Sequence, residues 1–283
     1  MAILVSTGLG LGVAYVGGQG GAPSHSGLSV FFLCACLAYF INWLAYIPAV
    51  INQTEKFYDL TGSLTYLSVI ALAIYLSGPH DLRALIVGAM VCIWALRLGS
   101  FLFGRIRRDG HDRRFNQIKT APLRFFLTWT LQASWVVLTS ACAVIIITSN
   151  ISKPLGFIGI VGAVLWLLGF GIEVIADNQK AAFRKQSQNK DRFISTGLWA
   201  WSRHPNYFGE ILLWTGIAIM AMPILIGWQW IVLISPVFVT FLLTKVSGVP
   251  MLERIADKKW AEDADYRAYK TNTPTLILLP PKS

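Results

Sequence analysis

The densest run of chemically capable side chains in this chain is Ser202-Arg203-His204-Pro205-Asn206-Tyr207-Phe208-Gly209-Glu210. It gathers a guanidinium, an imidazole, an amide, a phenol and a carboxylate. Proline has no N–H to donate and is tolerated in a first helical turn, so the spacing predicts a helix that opens at Pro205. Asn206 and Glu210 are then one helical turn apart and share a face. Ile211-Leu212-Leu213-Trp214 follows at once, which puts Glu210 at a membrane boundary. An acid there is expensive and points to function. The plainer account of Glu210 alone is a helix-start carboxylate favoured by the macrodipole. Arg203, His204, Asn206 and Tyr207 beside it favour a site.

Three further constellations stand out. Glu173, Asp177, Asn178 and Arg184 end the preceding apolar run. Glu173 and Asp177 share a helix face, where like charges repel, so each needs a partner: Arg184, Arg203, or the hydroxyls and amides of a ligand. The alternative is a local ion-pair network. The segment Gln53-Thr54-Glu55-Lys56-Phe57-Tyr58-Asp59 offers acids and a phenol able to exchange a proton, or it is an ordinary polar loop. Arg97 lies inside an apolar run and is followed by Arg105, Arg107 and Arg108. It snorkels to the surface or meets a buried anion.

The elements that position these groups follow from composition. Hydrophobic residues make up 55% of the chain, charged residues 13%, and the mean hydropathy is +0.57. Soluble chains carry about 25% charged residues. The apolar runs approach the ~20 residues that cross a bilayer as a helix, and alternating strand patterns are absent. The expected fold is an all-α polytopic transmembrane helix bundle of seven or eight helices. The spans read as Ile3–Gly17, Leu28–Val50, Leu60–Ser77, Leu82–Phe103, Phe125–Thr148, Gly156–Ala176, Ile211–Met222 and Trp228–Val249. Residues 1–50 form N-terminal transmembrane helices, and residues 51–283 hold all the constellations above.

Most cations fall between 105 and 124, between 180 and 203, and in the tail from Lys245 to Lys282. An even number of spans separates these groups, so they share one side. The positive-inside rule places them and the C-terminus in the cytoplasm, as in a bacterial inner membrane. It also accounts for the net charge of +10 without nucleic acid as a partner; the lipid bilayer is the expected surrounding. Orientation alone explains scattered lysines. It does not explain arginines beside Asp, Asn, His and Tyr at helix ends. Arginine suits bidentate phosphate contacts, and anionic headgroups are the other ligand class that it suits.

Other features carry no chemistry. No basic n-region precedes the first apolar stretch, so no cleaved signal is expected. Cys34, Cys36, Cys92 and Cys142 all lie in apolar runs and read as packing residues without disulfides. Gly8, Gly10 and Gly12 follow no strand and read as helix packing, not a dinucleotide fingerprint. His25, His80, His111 and His204 are too scattered for a metal set, so no metal is expected.

The run Arg203–Glu210, the Glu173/Asp177/Arg184 helix end and the tail Asp265-Tyr266-Arg267-Ala268-Tyr269 resemble the steroid 5-alpha-reductase family. The likeness is to the bacterial members of its uncharacterised branch. It runs from about Gln53 to the C-terminus and is strongest over Gly171–Glu210. The resemblance implies a helical membrane reductase with NADPH in a cavity open to the cytosol. A hydride would pass from the nicotinamide to an activated double bond of a lipophilic, steroid- or isoprenoid-like substrate entering from the membrane. It places Arg97, Arg105 and Arg108 on the cofactor's phosphates. Asp177, Arg184, Asn206 and Glu210 match its cofactor-contacting positions, and Glu173 falls where the reductases often have an asparagine; Arg203, His204, Tyr207 and Glu253 complete the expected cofactor site. Gln53 and Glu55 fall near the family's catalytic Gln-Glu pair. The family also has a tyrosine where this chain has Trp94, and an indole cannot act as that acid. Tyr58 or Glu55 would take over.

The runner-up is a membrane methyltransferase of the isoprenylcysteine carboxyl type, which shares an Arg-His-Pro-x-Tyr helix start and uses S-adenosylmethionine. NADPH needs arginines for its phosphates and S-adenosylmethionine needs none, so the arginine-rich 97–124 segment favours the reductase. A non-catalytic lipid-binding protein would leave Glu173 and Glu210 without a task.

Overall fold

A computed structural model describes every residue except His25, Pro79, Lys282 and Ser283, and every described side chain except those of Asp109 and Arg113. His25 of the scattered histidines and Lys282 of the tail therefore lie outside the described residues. The chain is all-α. Among the described residues no strand forms, and only two isolated bridges occur, Gly21 with Ser149 and Pro23 with Ser29. Among the described residues seven helices are long and apolar enough to cross a membrane, and Ala2–Gly17 is a shorter apolar helix. The chain is a multi-pass membrane protein built for a lipid bilayer.

Two compact units share the chain. The first comprises Met1–Gly159 and Met220–Ser235. It holds α1 (Ala2–Gly17), α2 (Val30–Ile51), α3 (Tyr58–Ser77), α4 (Leu82–Asp109) and α5 (Pro122–Ile147). Local chemistry sets the ends. The Ser29 hydroxyl accepts from Phe32 N–H and the Asp81 carboxylate from Ala84 N–H, each satisfying a donor that the first turn leaves open. Pro122 starts α5 at its first turn. Gly110, at φ 81°, ends α4 in a conformation that costs glycine little. Helix α5 is apolar around its whole circumference and packs against α1 to α4. Its apolar window is 89% buried, against 33–39% for α2, α3 and α4. It is the core of this unit, and the outer helices keep a lipid-facing side.

The second unit comprises Ile160–Ile219 and Pro236–Ser283. Its elements are α6 (Gly156–Lys185), α7 (Leu198–Trp201), α8 (Pro205–Ala221), α9 (Ile234–Phe241), α10 (Val249–Trp260) and α11 (Ala264–Asn272). Helix α8 opens at Pro205, where the proline predicts it. Helix α6 runs on to Lys185 beyond the apolar stretch, because its last turns have polar side chains that a water-facing end accepts. The expected span Trp228–Val249 is not one α-helix. Gly227–Leu233 is 3₁₀, Ile234–Phe241 is α and Leu242–Val246 is a π-turn.

Helices α6 and α8 meet backbone to backbone. A Cβ at Gly209 would lie 2.5 Å from the Gly169 carbonyl oxygen and 2.7 Å from Glu173 N. One at Gly216 would lie 2.5 Å from the Gly162 carbonyl oxygen. In lipid, where apolar burial no longer drives helices together, small residues permit this approach. Of Gly8, Gly10 and Gly12, only Gly10 packs closely, against Tyr39; Gly8 and Gly12 face open space. All four cysteines are free. Cys34 and Cys142 are buried and donate to the Val69 and Val232 carbonyls, while Cys36 is exposed and so is not a packing residue.

Candidate functional site

In the second unit the α6–α8 contact brings two of the sequence constellations together. Glu173, Asp177 and Glu210 are all buried, at 3%, 7% and 8% exposure. Asn206 donates its amide to the Asp177 carboxylate at 3.2 Å. Carboxylates this buried persist only when other groups engage them, and Glu173, Asp177 and Glu210 each have further partners, as do Arg184 and Tyr207. Arg184 itself is exposed at the α6 end.

The turn before α8 is fixed by the C-terminal segment. The buried Ser202 hydroxyl accepts from His204 N–H at 3.2 Å and donates to the Leu276 carbonyl at 2.9 Å. Arg203 N–H donates to the Pro274 carbonyl. The Arg203 guanidinium donates to the Thr275 hydroxyl at 2.6 Å, to the Lys270 carbonyl at 3.3 Å and to Glu253 at 3.2 Å. Arg203 is therefore committed to holding the tail and α10, which makes it a positioning residue.

His204 is 5% exposed and stacks on Tyr207, with ring centroids 5.6 Å apart. Its Nε2 meets the second Glu253 oxygen at 2.9 Å. Burial above all, with Lys180 and Arg203 nearby, lowers its pKa despite Glu253. The ring is thus neutral near pH 7. An ionised carboxylate only accepts, so Nε2 holds the proton and Nδ1 presents a lone pair. That Nδ1 is buried and meets no hydrogen-bond donor among the described residues. It is an acceptor awaiting a donor.

Behind this cluster, Trp199 donates to the Ala176 carbonyl at 3.0 Å and Tyr269 to the Trp199 carbonyl at 2.7 Å. Lys180 sits 4.2 Å over the Trp199 ring. Sequence reasoning missed Ser202, Thr275 and Lys270 as supports. Their partners are some 70 residues away in the chain, and no local pattern links them.

The first unit carries the other predicted groups. Glu55 is 3% exposed and accepts from Lys119 at 2.7 Å and from Asp112 N–H at 3.0 Å. Burial raises its pKa, but Lys119 and the Asp112 N–H outweigh that and hold it below the usual carboxylate range. Glu55 is an ionised anchor for the 110–121 loop. Tyr58 donates to the Thr128 carbonyl at 3.0 Å and packs on Phe115 and Trp129. Gln53, at φ 49°, is exposed and donates to the Val50 carbonyl. Gln53, Glu55 and Tyr58 thus each engage a different partner. Arg105 pairs with Asp59 at 3.5 Å and Arg114 with Asp112. Arg97 lies over the Phe101 ring, and both Arg97 and Arg108 have further partners. Trp94 is buried, with its ring edge-on to Tyr66 at 5.1 Å. A phenol therefore lies beside Trp94 on the neighbouring helix, a residue that sequence spacing did not single out. Among the described residues no cluster of three His, Cys, Asp or Glu could hold a metal.

Fold and cluster define an all-α, multi-pass membrane protein with buried acids and a neutral histidine at its helix ends. The chain belongs to the family described as "Protein of unknown function (DUF1295)", which matches residues 45–273 and so takes in every candidate residue above. No curated protein and no solved structure matches the chain.

Proposed function

We propose that this chain is an NADPH-dependent membrane reductase acting on an activated double bond of a lipophilic, steroid- or isoprenoid-like substrate. The observation that carries the reading is the α6–α8 contact, with the buried Asp177 carboxylate held by Asn206, at the helix start that also bears the buried His204. These groups fit the cofactor's chemistry. Carboxylate and imidazole acceptors suit ribose hydroxyls and a carboxamide N–H, and the exposed Arg184 suits a phosphate. NADPH, when bound, supplies the hydride. Asp177 and Asn206 would orient it, and Glu253 would hold His204 in the tautomer that keeps Nδ1 an acceptor. Arg203 would lock the helix start. Such work is alignment and exclusion of water. The basic loops and C-terminus are proposed to face the cytoplasm of a bacterial inner membrane.

One observation favours a second reading, an S-adenosylmethionine-dependent methyltransferase. Arg105, Arg114 and Lys119 are engaged by the protein's own Asp59, Asp112 and Glu55, and a phosphate-free cofactor needs no free arginines. Labelled donors separate the two. Membranes containing the protein are given NADPH deuterated at nicotinamide C4, or S-adenosylmethionine with a labelled methyl, and the extracted lipids are analysed by mass spectrometry. Label from NADPH supports the reductase. Label only from S-adenosylmethionine overturns it, and label from neither contradicts both.

A further inference from the structure

Glu173, Asp177, His204 and Glu210 are between 3% and 8% exposed, so a solute of nucleotide size reaches them only if part of the second unit moves. Helices α6 and α8 are not that part, because they meet backbone to backbone at Gly169 and Gly209. Nor is the tail, which clasps the start of α8 through Ser202 and Arg203. The segment 186–197 is different. It joins the Arg184 end of α6 to α7, and all its residues but Asn189, Phe193 and Ile194 are exposed. Two adjacent side chains hold it down. Ile194 packs with Ala176 and Trp199, and Ala176 is the residue beside Asp177. Phe193 enters a set of rings on α10 and α11. It stacks on Tyr269 at 5.4 Å and meets Tyr266 and Trp260 edge-on at 5.4 and 5.8 Å. The segment thus bridges α6 and the α10–α11 pair. Exposed links add to this: Trp260 Nε1–H donates to the Asp191 carbonyl at 2.7 Å, and Asp191 pairs with Lys259 at 3.0 Å. The far end turns at Gly197, at φ 62°, where Leu198 N–H donates to the Gln179 side chain at 2.9 Å. Few buried contacts along an exposed backbone mark a segment that opens locally while the rest of the unit stays folded.

We propose that residues 186–197 are a strap that opens to admit a ligand to the turn of α6 bearing Asp177, with Phe193 as its latch. The identity of that ligand rests on the reductase reading; the latch does not. With Phe193 seated, the strap lies over Ala176 and keeps water from the buried carboxylates. Release of one ring uncovers that turn without parting α6 from α8. Closure of this kind excludes water and commits a bound substrate.

The test is thiol access in the full chain purified in detergent. Asp177→Cys is treated with a charged, water-soluble maleimide, and the adduct at position 177 is followed by peptide mass spectrometry, which separates it from the native cysteines. Labelling should be slow. Phe193→Ala in the same chain should speed it about tenfold or more, the scale of losing three aromatic pairs. Trp260→Phe keeps a ring and removes the bond to Asp191, and should speed it about fivefold. Ala218→Cys, buried on α8, reports opening of the whole unit and should stay slow in both backgrounds. If Asp177→Cys does not fold, Ala176→Cys, under Ile194, reports the same motion. Labelling at 177 that is already fast with the wild-type strap would overturn the proposal. So would labelling that neither Phe193→Ala nor Trp260→Phe changes, or that rises only together with position 218. No cofactor is used, so a failed strap and a failed reductase reading show in separate measurements: thiol access for one, the NADPH-dependent unfolding midpoint for the other.

Discussion

Replacing Gly209 by alanine should loosen the contact on which the candidate site is built. The added methyl would sit 2.5 Å from the Gly169 carbonyl oxygen and 2.7 Å from Glu173 N. Ordinary contact is about 3.5–4.0 Å, and both neighbours are backbone, which cannot rotate aside. The helices must part by about 1 Å. Overpacking of this kind costs roughly 1–3 kcal/mol, and with rigid neighbours the upper end applies. Alanine recovers up to about 1 kcal/mol of helix propensity over glycine, which leaves a net loss of about 2 kcal/mol. Gly171, on α6 of the same pair, is the matched control, because a methyl there meets nothing within 4 Å. Gly171→Ala should be neutral or stabilising by up to about 1 kcal/mol. The assay is thermal unfolding of both variants in one detergent, where a 2 kcal/mol loss lowers the midpoint by roughly 4–8 °C for a chain of this size class. A Gly209→Ala midpoint equal to wild type, or an equal drop in Gly171→Ala, would refute the close-contact account.

Other perturbations address single groups. Glu55 is held below its unfolded pKa of about 4.3, so its contribution is present above that pH and is lost as pH falls through the folded value. Glu55→Gln should flatten the acid limb of stability and speed amide exchange in residues 110–121; an acid limb like that of wild type would count against the anchor. The folded pKa of His204 lies below its unfolded value of about 6.5, so protons favour the unfolded chain between the two. Stability should drop as pH falls from about 6.5, and His204→Gln should remove that drop, as pH-dependent melting would show.

The all-α class and the span positions were legible because apolar length and caps are local signals. Pro205 marks the start of α8, and Gly110 and Pro122 bound the loop between α4 and α5. The four-residue spacings in Glu173/Asp177 and Asn206/Glu210 fixed shared faces within each helix. They could not show that α6 and α8 meet through Gly169 and Gly209, because that depends on which helices become neighbours. The Arg203–Glu253–His204 link joins residues about 50 apart, and the clasp from Thr275 reaches farther still. Arginine spacing in 97–124 gave charge but not its partners. Only the structure shows Arg105 and Arg114 facing Asp59 and Asp112. The broken span 227–249 looked continuous because apolar content does not distinguish α from 3₁₀ or π turns.

Under the proposed function, the helix ends of the second unit hold a phosphorylated nicotinamide cofactor. The direct measurement is the unfolding midpoint of detergent-purified protein with NADPH, NADH or S-adenosylmethionine, since a ligand that binds only the folded state raises it by mass action. At a hundredfold excess over Kd the gain is about 2.7 kcal/mol. The midpoint should rise with NADPH and less with NADH, and the NADPH effect should be lost in Arg184→Ala and Glu210→Gln. A rise with S-adenosylmethionine alone, or an NADPH effect that survives in both variants, would contradict it.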